Sequence, residues 1–247
     1  MSKFIEKLQQ VLQPMPQSMG FKTAQAKQAR PHMQLVLNIT GSKSKSAVKE
    51  LDAADAAILP CPEIEVGKTI SGNWLFKGER EEVEKSIKSG VDFVILPANG
   101  EVLPSDKKLG KILQIESAIS DVLLRTVNEL PVDAVLISED KENGRGLTWI
   151  RLMLIHRFSS LLNKPLLIEV LPDICETDLQ QIWEAGISGV IVSVDVEQAE
   201  STVQILRKMI DKLNYPSRRK RDRGLAILPS VRIEPEKPQE DDGDEDE

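Results

Sequence analysis

Aromatic residues are scarce in this chain, at 4% of 247 residues, so any core must be aliphatic. Cysteine and histidine are scarcer still, with two of each. Cys61 and Cys175 give no disulfide framework, and with His32 and His156 they give no metal-ligand spacing. No metal or cofactor is expected on these grounds. No apolar run approaches the roughly 20 residues that span a bilayer. The first residues, MSKFIEKLQQVLQ, lack a signal-peptide core. No membrane contact and a reducing cytosol are the expectation.

Basic charge is also short overall, but the net charge of −7 belongs to one segment. Glu234 to Glu247 holds nine acids and a single lysine, so the remaining chain is close to neutral. Repeated acids with proline and no aromatics predict a disordered tail. The basic run Ser217–Arg223, SRRKRDR, has no interleaved aromatics, so nucleic acid is not expected as a partner.

What is abundant is the short aliphatic run. Eight occur: LVLNI at Leu35–Ile39, AAIL at Ala56–Leu59, WLFK at Trp74–Lys77, FVIL at Phe93–Leu96, ILQIE at Ile112–Glu116, AVLI at Ala134–Ile137, LLIEV at Leu166–Val170 and VIVS at Val190–Ser193. Near-continuous runs suit parallel strands covered on both faces. Helical segments alternate with them at Glu79–Ser89, Ser120–Leu130, Thr148–Leu162, Glu176–Ala185 and Val196–Leu213, with Gly90 and Gly186 at expected helix C′ positions. The connectors after the second and fourth runs are too short or too broken by proline and glycine for a helix, so the outer ring is expected to be incomplete on that side or covered there by the N-terminal helix.

A repeat sharpens the reading. Ala53–Pro60 (AADAAILP), Gly90–Pro97 (GVDFVILP) and Pro131–Ser138 (PVDAVLIS) share an aspartate just before the apolar run, and Ala185–Ser193 (AGISGVIVS) has Ser188 there instead. These are strands two, four, six and eight. Repetition in every second unit fits a barrel whose interior layers come from alternate strands. The fold predicted is a (β/α)8 TIM barrel over residues 33–215. An N-terminal helix and lead-in over 1–32 precede it, and a basic and apolar extension over 216–233 and the acidic tail over 234–247 follow.

The odd-numbered strands each carry a polar residue near the carboxyl end: Asn38, Lys77, Glu116 (with Gln114 two before it) and Glu169. In a parallel barrel that end is where chemistry is built. A lysine among two carboxylates and an amide could serve as acid, clamp and base. It could equally be a structural ion-pair cluster. Lys77 is expected within salt-bridge reach of Glu116 or Glu169. Weaker candidates are Cys61 and Cys175, both at that face, and the loop acids Glu139 and Asp140. His156 reads as packing, and Gly67–Thr69 lacks the upstream glycine of a phosphate loop.

Lysine on strand three with glutamates on strands five and seven resembles indole-3-glycerol-phosphate synthase, of the ribulose-phosphate-binding barrels. The segment IEVLPDICETDLQQIWEAGISGVIVSV is similar to that superfamily's strand-seven, helix, strand-eight pattern. The resemblance implies acid–base roles for Lys77, Glu116 and Glu169 and a lyase-like or isomerase activity on a small molecule. The phosphate-binding glycines of such barrels are absent. Leu171-Pro172-Asp173 and Ser193-Val194-Asp195 stand in their place. Proline has no N–H and aspartate repels an anion, so neither a phosphorylated substrate nor FMN is expected. A catalytically inactive barrel used as a scaffold is the alternative.

Overall fold

The computed structural model describes residues 2–12, 32–40, 53–59, 69–75, 77–102, 108–138, 146–195 and 198–215. Eight parallel strands close into one barrel in sequence order: β1 (Gln34–Thr40), β2 (Ala56–Ile58), β3 (Ile70–Trp74), β4 (Phe93–Pro97), β5 (Gly110–Glu116), β6 (Ala134–Ser138), β7 (Leu166–Val170) and β8 (Gly189–Asp195), with β8 pairing β1. Outside lie α2 (Arg80–Lys88), α3 (Asp121–Thr126, continued by a 3-10 turn at Val127–Glu129), α4 (Trp149–Leu161), α5 (Glu176–Glu184) and α6 (Ala199–Lys212). Among the described residues no helix follows β2 or β4, as the proline and glycine content predicts. The acidic tail, the basic run, Cys61, and Glu139 with Asp140 lie outside the described residues.

Local signals set the helix ends. Ser120 accepts from the N–H of Leu123, and Thr148 from that of Arg151, capping α3 and α4. Gly90 and Gly186 follow α2 and α5 with φ of 76° and 111°, a conformation side chains resist.

One strand departs from the sequence reading. The third strand is Ile70–Trp74, ISGNW, and not Trp74–Lys77. It escapes an aliphatic search because its outward residues are polar. Asn73 donates to Ser86 of α2 at 2.9 Å, and Ser86 in turn donates to the Glu82 carbonyl. Inward, Gly72 leaves room for a neighbour. A Cβ there would lie 2.2 Å from the Phe93 ring, which is fully buried in the barrel.

The helix α1 (Lys3–Leu12) does not fill the gap in the outer ring. It lies across the amino-terminal end of the barrel. Phe4, Ile5 and Leu8 join the interior cluster of Val36, Phe93, Ile112 and Leu167, and the Phe4 and Phe93 rings sit 4.6 Å apart. Each of these fully buried side chains contributes about 1.5–3 kcal/mol. Asp92 caps α1 from a distance of some ninety residues. It accepts from Ser2 Oγ (2.6 Å) and from the N–H groups of Lys3 and Phe4 (both 2.9 Å).

Asp92 is the second member of the sequence repeat, and the structure explains the others. At Asp55, Asp92, Asp133 and Ser188 the backbone N–H donates to a carbonyl near the start of the preceding strand: Leu35, Ser71, Lys111 and Leu166. The carboxylates of Asp55 and Asp133 also accept the N–H of Leu35 and Lys111, both at 2.9 Å. Asp55 is held further by Arg207 at 3.0 Å and Lys7 at 3.7 Å. The repeat therefore closes the amino-terminal edge of the sheet. Ser188 is fully buried, and its hydroxyl has no hydrogen-bond partner among the described residues.

Candidate functional site

The register fixes which side chains share a level inside the barrel. With strands tilted, alternate strands contribute to one layer. From the pairing, Val36, Gly72, Ile112 and Leu167 form one layer, and Ile58, Ile95, Leu136 and Ile191 form the next toward the carboxyl-terminal end. The layer above these is Asn38, Trp74, Gln114 and Glu169. Above it stand Pro97, Ser138 and Ser193, and Glu116 with Thr40 a level higher. The interior changes from wholly apolar to largely polar in one step.

Hydrogen bonds tie the polar layers together. Trp74 Nε1 donates to Gln114 Oε1 at 3.1 Å, and Gln114 Nε2 donates to Ser138 Oγ at 3.0 Å. Across the β1–β8 pair, Asn38 Nδ2 donates to Ser193 Oγ at 3.0 Å. At the rim, Thr40 Oγ1 donates to Asp195 at 3.1 Å. Arg151, in the first turn of α4, donates to the Glu169 carbonyl and so braces the end of β7 from outside.

Of the four side chains expected at the mouth, the register brings Asn38 and Glu169 into one layer and places Glu116 at the exposed rim above them. Lys77 lies three residues beyond the end of β3, 73% exposed, and its ion pair is with Glu79 at 3.8 Å, not with Glu116 or Glu169. The displacement of β3 is the cause. The strand ends early, so its inward residue at this level is Trp74. That tryptophan was missed because a run of WLFK reads as a strand beginning at Trp74. The signal available was Gly72, a small residue two positions earlier on the same face.

The other candidates separate. Cys175 is exposed at the N-cap of α5, with Sγ 2.9 Å from Thr177 Oγ1. His156 is on the exposed side of α4 and does not pack in the core as expected. Asp195, expected in a loop after strand eight, is the last residue of β8. Pro172 and Asp173 form an exposed turn after β7. Among the described residues no group of three His, Cys, Asp or Glu could hold a metal ion. Nor is any helix among them long and apolar enough to cross a membrane.

No protein-family model matches the chain, and no curated protein does. Solved structures do. The chain is similar to 3-keto-L-gulonate-6-phosphate decarboxylase from Vibrio cholerae, with a TM-score of 0.57 and 14% identity over 75% of this chain and 100% of that one. It is similar to 3-hexulose-6-phosphate synthase, at 0.54 and 14%, over 72% of this chain and 100% of that one. A mutant tryptophan synthase α-subunit from Pyrococcus furiosus gives 0.52 and 11%, over 74% and 98%. The protein is thus a (β/α)8 barrel. At these identities the likeness shows the fold alone.

Proposed function

We propose that the chain is a small-molecule-binding barrel whose site is its carboxyl-terminal mouth, and that it performs a lyase or isomerase step on a non-phosphorylated substrate. The observation that carries this reading is the change of the interior, at a single level, to Asn38, Trp74, Gln114 and Glu169. All four are half-buried, whereas the two layers beneath them are fully buried, so this polar level is the one a ligand at the mouth would meet. In this reading Glu169 is the base, Asn38 and Gln114 orient the ligand, and Glu116 and Lys77 are charges of the rim and its flanking connection. Pro172, Asp173 and Asp195 make the same face a poor cradle for phosphate.

The test is Glu169→Gln, which keeps size and hydrogen bonding but removes the base. Its melting temperature should stay within about 2 °C of the parent. Turnover of a substrate found by screening non-phosphorylated metabolites should fall by about 100-fold or more. Unchanged turnover would sink the assignment.

A barrel used as an interaction scaffold is the second reading. It draws on Trp149, Ile150 and Met153, which stand 81%, 65% and 63% exposed on α4. On that reading, mouth substitutions would alter stability alone.

A further inference from the structure

The outer helices do not all meet solvent in the same way. α2 turns Glu81, Glu84 and Lys88 outward, and α5 turns Glu176, Gln181 and Glu184 outward. α4 buries Ile155 and Phe158 against the barrel, yet its opposite side carries Trp149, Ile150 and Met153, 81%, 65% and 63% exposed. A helix that is apolar all round belongs between two layers of protein. The head of α3 extends the patch. Met153 stands one turn before Arg157 on the same side of α4. Arg157 reaches α3 with a 2.6 Å bond to Asp121, beside Val122 and Leu123, which are 75% and 58% exposed. Five large apolar side chains this exposed present roughly 600 Å², against about 800 Å² per partner in a standard interface.

We infer that this face is covered by the same face of a second copy of the chain, in a two-fold dimer. The spacing along α4 selects a copy. Trp149 and Arg157 each lie four residues from Met153. An antiparallel contact of α4 with its twin, centred on Met153, therefore sets the Trp149 ring of one copy against the Arg157 guanidinium of the other, and does so twice. The two methionines meet at the axis. Arg157 is held in place for this contact. Its N–H groups donate to Asp121 and to the carbonyls of Ser117 and Ile119, and 27% of its side chain remains exposed. What it still offers a neighbour is the face of its plane, which an aromatic ring fits. With Arg157 paired to Asp121, the centre of the patch has no excess charge and calls for neither a strongly acidic nor a strongly basic partner. The dimer names an occupant for the apolar face of the scaffold reading and does not depend on chemistry at the mouth.

Sedimentation velocity of the full chain, up to about 100 μM, is the test. The parent should sediment as a dimer. Met153→Asp and Trp149→Ala should each weaken the dimer about 30-fold or more, with unchanged circular dichroism because both side chains are exposed. Ile205→Asp, on the exposed side of α6, should leave the dimer intact. Cysteine cross-linking reads the register. In a Cys61→Ser, Cys175→Ser background, Met153→Cys should form an intermolecular disulfide and Ile205→Cys should not. A parent that is monomeric throughout would mean that another protein or another segment of the chain takes this face. That result overturns the inference and leaves the mouth to the Glu169→Gln test. A dimer that persists in both Met153→Asp and Trp149→Ala uses a different face and overturns it as well. A dimer that these variants dissociate but Met153→Cys does not cross-link overturns the two-fold register.

Discussion

The two ends of this barrel use polar residues in opposite ways. At the amino-terminal end Asp55, Asp92 and Asp133 all accept backbone N–H groups, and a helix covers the opening. At the carboxyl-terminal end Asn38, Trp74, Gln114, Ser138 and Ser193 bond side chain to side chain. Carboxylates that hold main chain fix geometry, whereas side chains that hold one another can exchange a partner for a ligand. Polar bonds hold main chain at one end and tie side chains to one another at the other.

Substitutions can break or sharpen that contrast. The largest effect should come from Asp92→Ala, which strips three hydrogen bonds to a carboxylate from α1. About 3 kcal/mol should be lost, read from the urea midpoint. Asp92→Asn should recover part of it. Next comes Gly72→Ala, whose methyl would collide with Phe93 beneath Phe4. Overpacking of this kind costs about 2 kcal/mol. The double variant with Phe93→Leu should cost less than the sum of the singles, showing that the two residues share one space.

A smaller effect is expected at Tyr215. Its hydroxyl donates to the Ile210 carbonyl at 2.7 Å and accepts from Met33 N–H, joining α6 to the start of β1. Burial, the main cause, pushes its ionisation up to about 12. The folded state therefore holds the phenol proton after the unfolded state has released it. Stability should be constant below pH 10 and decline from there to pH 12. This is the chain's single tyrosine, so an absorbance titration reads it directly. Tyr215→Phe should cost about 1 kcal/mol at neutral pH and flatten the alkaline decline. Smallest of all should be Asn38→Ala and Glu116→Gln at the mouth, each within about 0.5–1 kcal/mol in thermal melts. A cost at the mouth as large as that at Asp92 would erase the distinction between the ends.

Legibility in the sequence followed the same division. Aliphatic runs located seven strands because strands covered on both faces need no polar residue. The aspartate repeat was visible because its backbone role recurs at a fixed offset. β3 was misplaced because Ser71 and Asn73 face α2 through hydrogen bonds and Gly72 yields its volume to Phe93, so burial there leaves no hydrophobic signature. That misplacement carried Lys77 into the expected cluster and hid Trp74. Asn38 and Glu169 were found by counting from strand ends, which works where the ends are right. The part played by Ser138 and Ser193 depends on which atoms face each other across strands, and a linear sequence does not order them.

The remote cap on α1 also bears on how the chain is made. Residues 3–12 leave the ribosome before every strand of the barrel, yet their helix is completed by Asp92 and packs on Phe93, Ile112 and Leu167. During translation Phe4, Ile5 and Leu8 must wait, unburied, until strands far downstream have left the ribosome. Closure of the barrel waits longer still, because β1 pairs with β8. Contacts this distant in sequence make folding slow and leave apolar surface exposed in the meantime. Truncated chains ending before β8 should therefore engage chaperones through their first helix, and the aspartate that ends that wait is the one the barrel places at the start of β4.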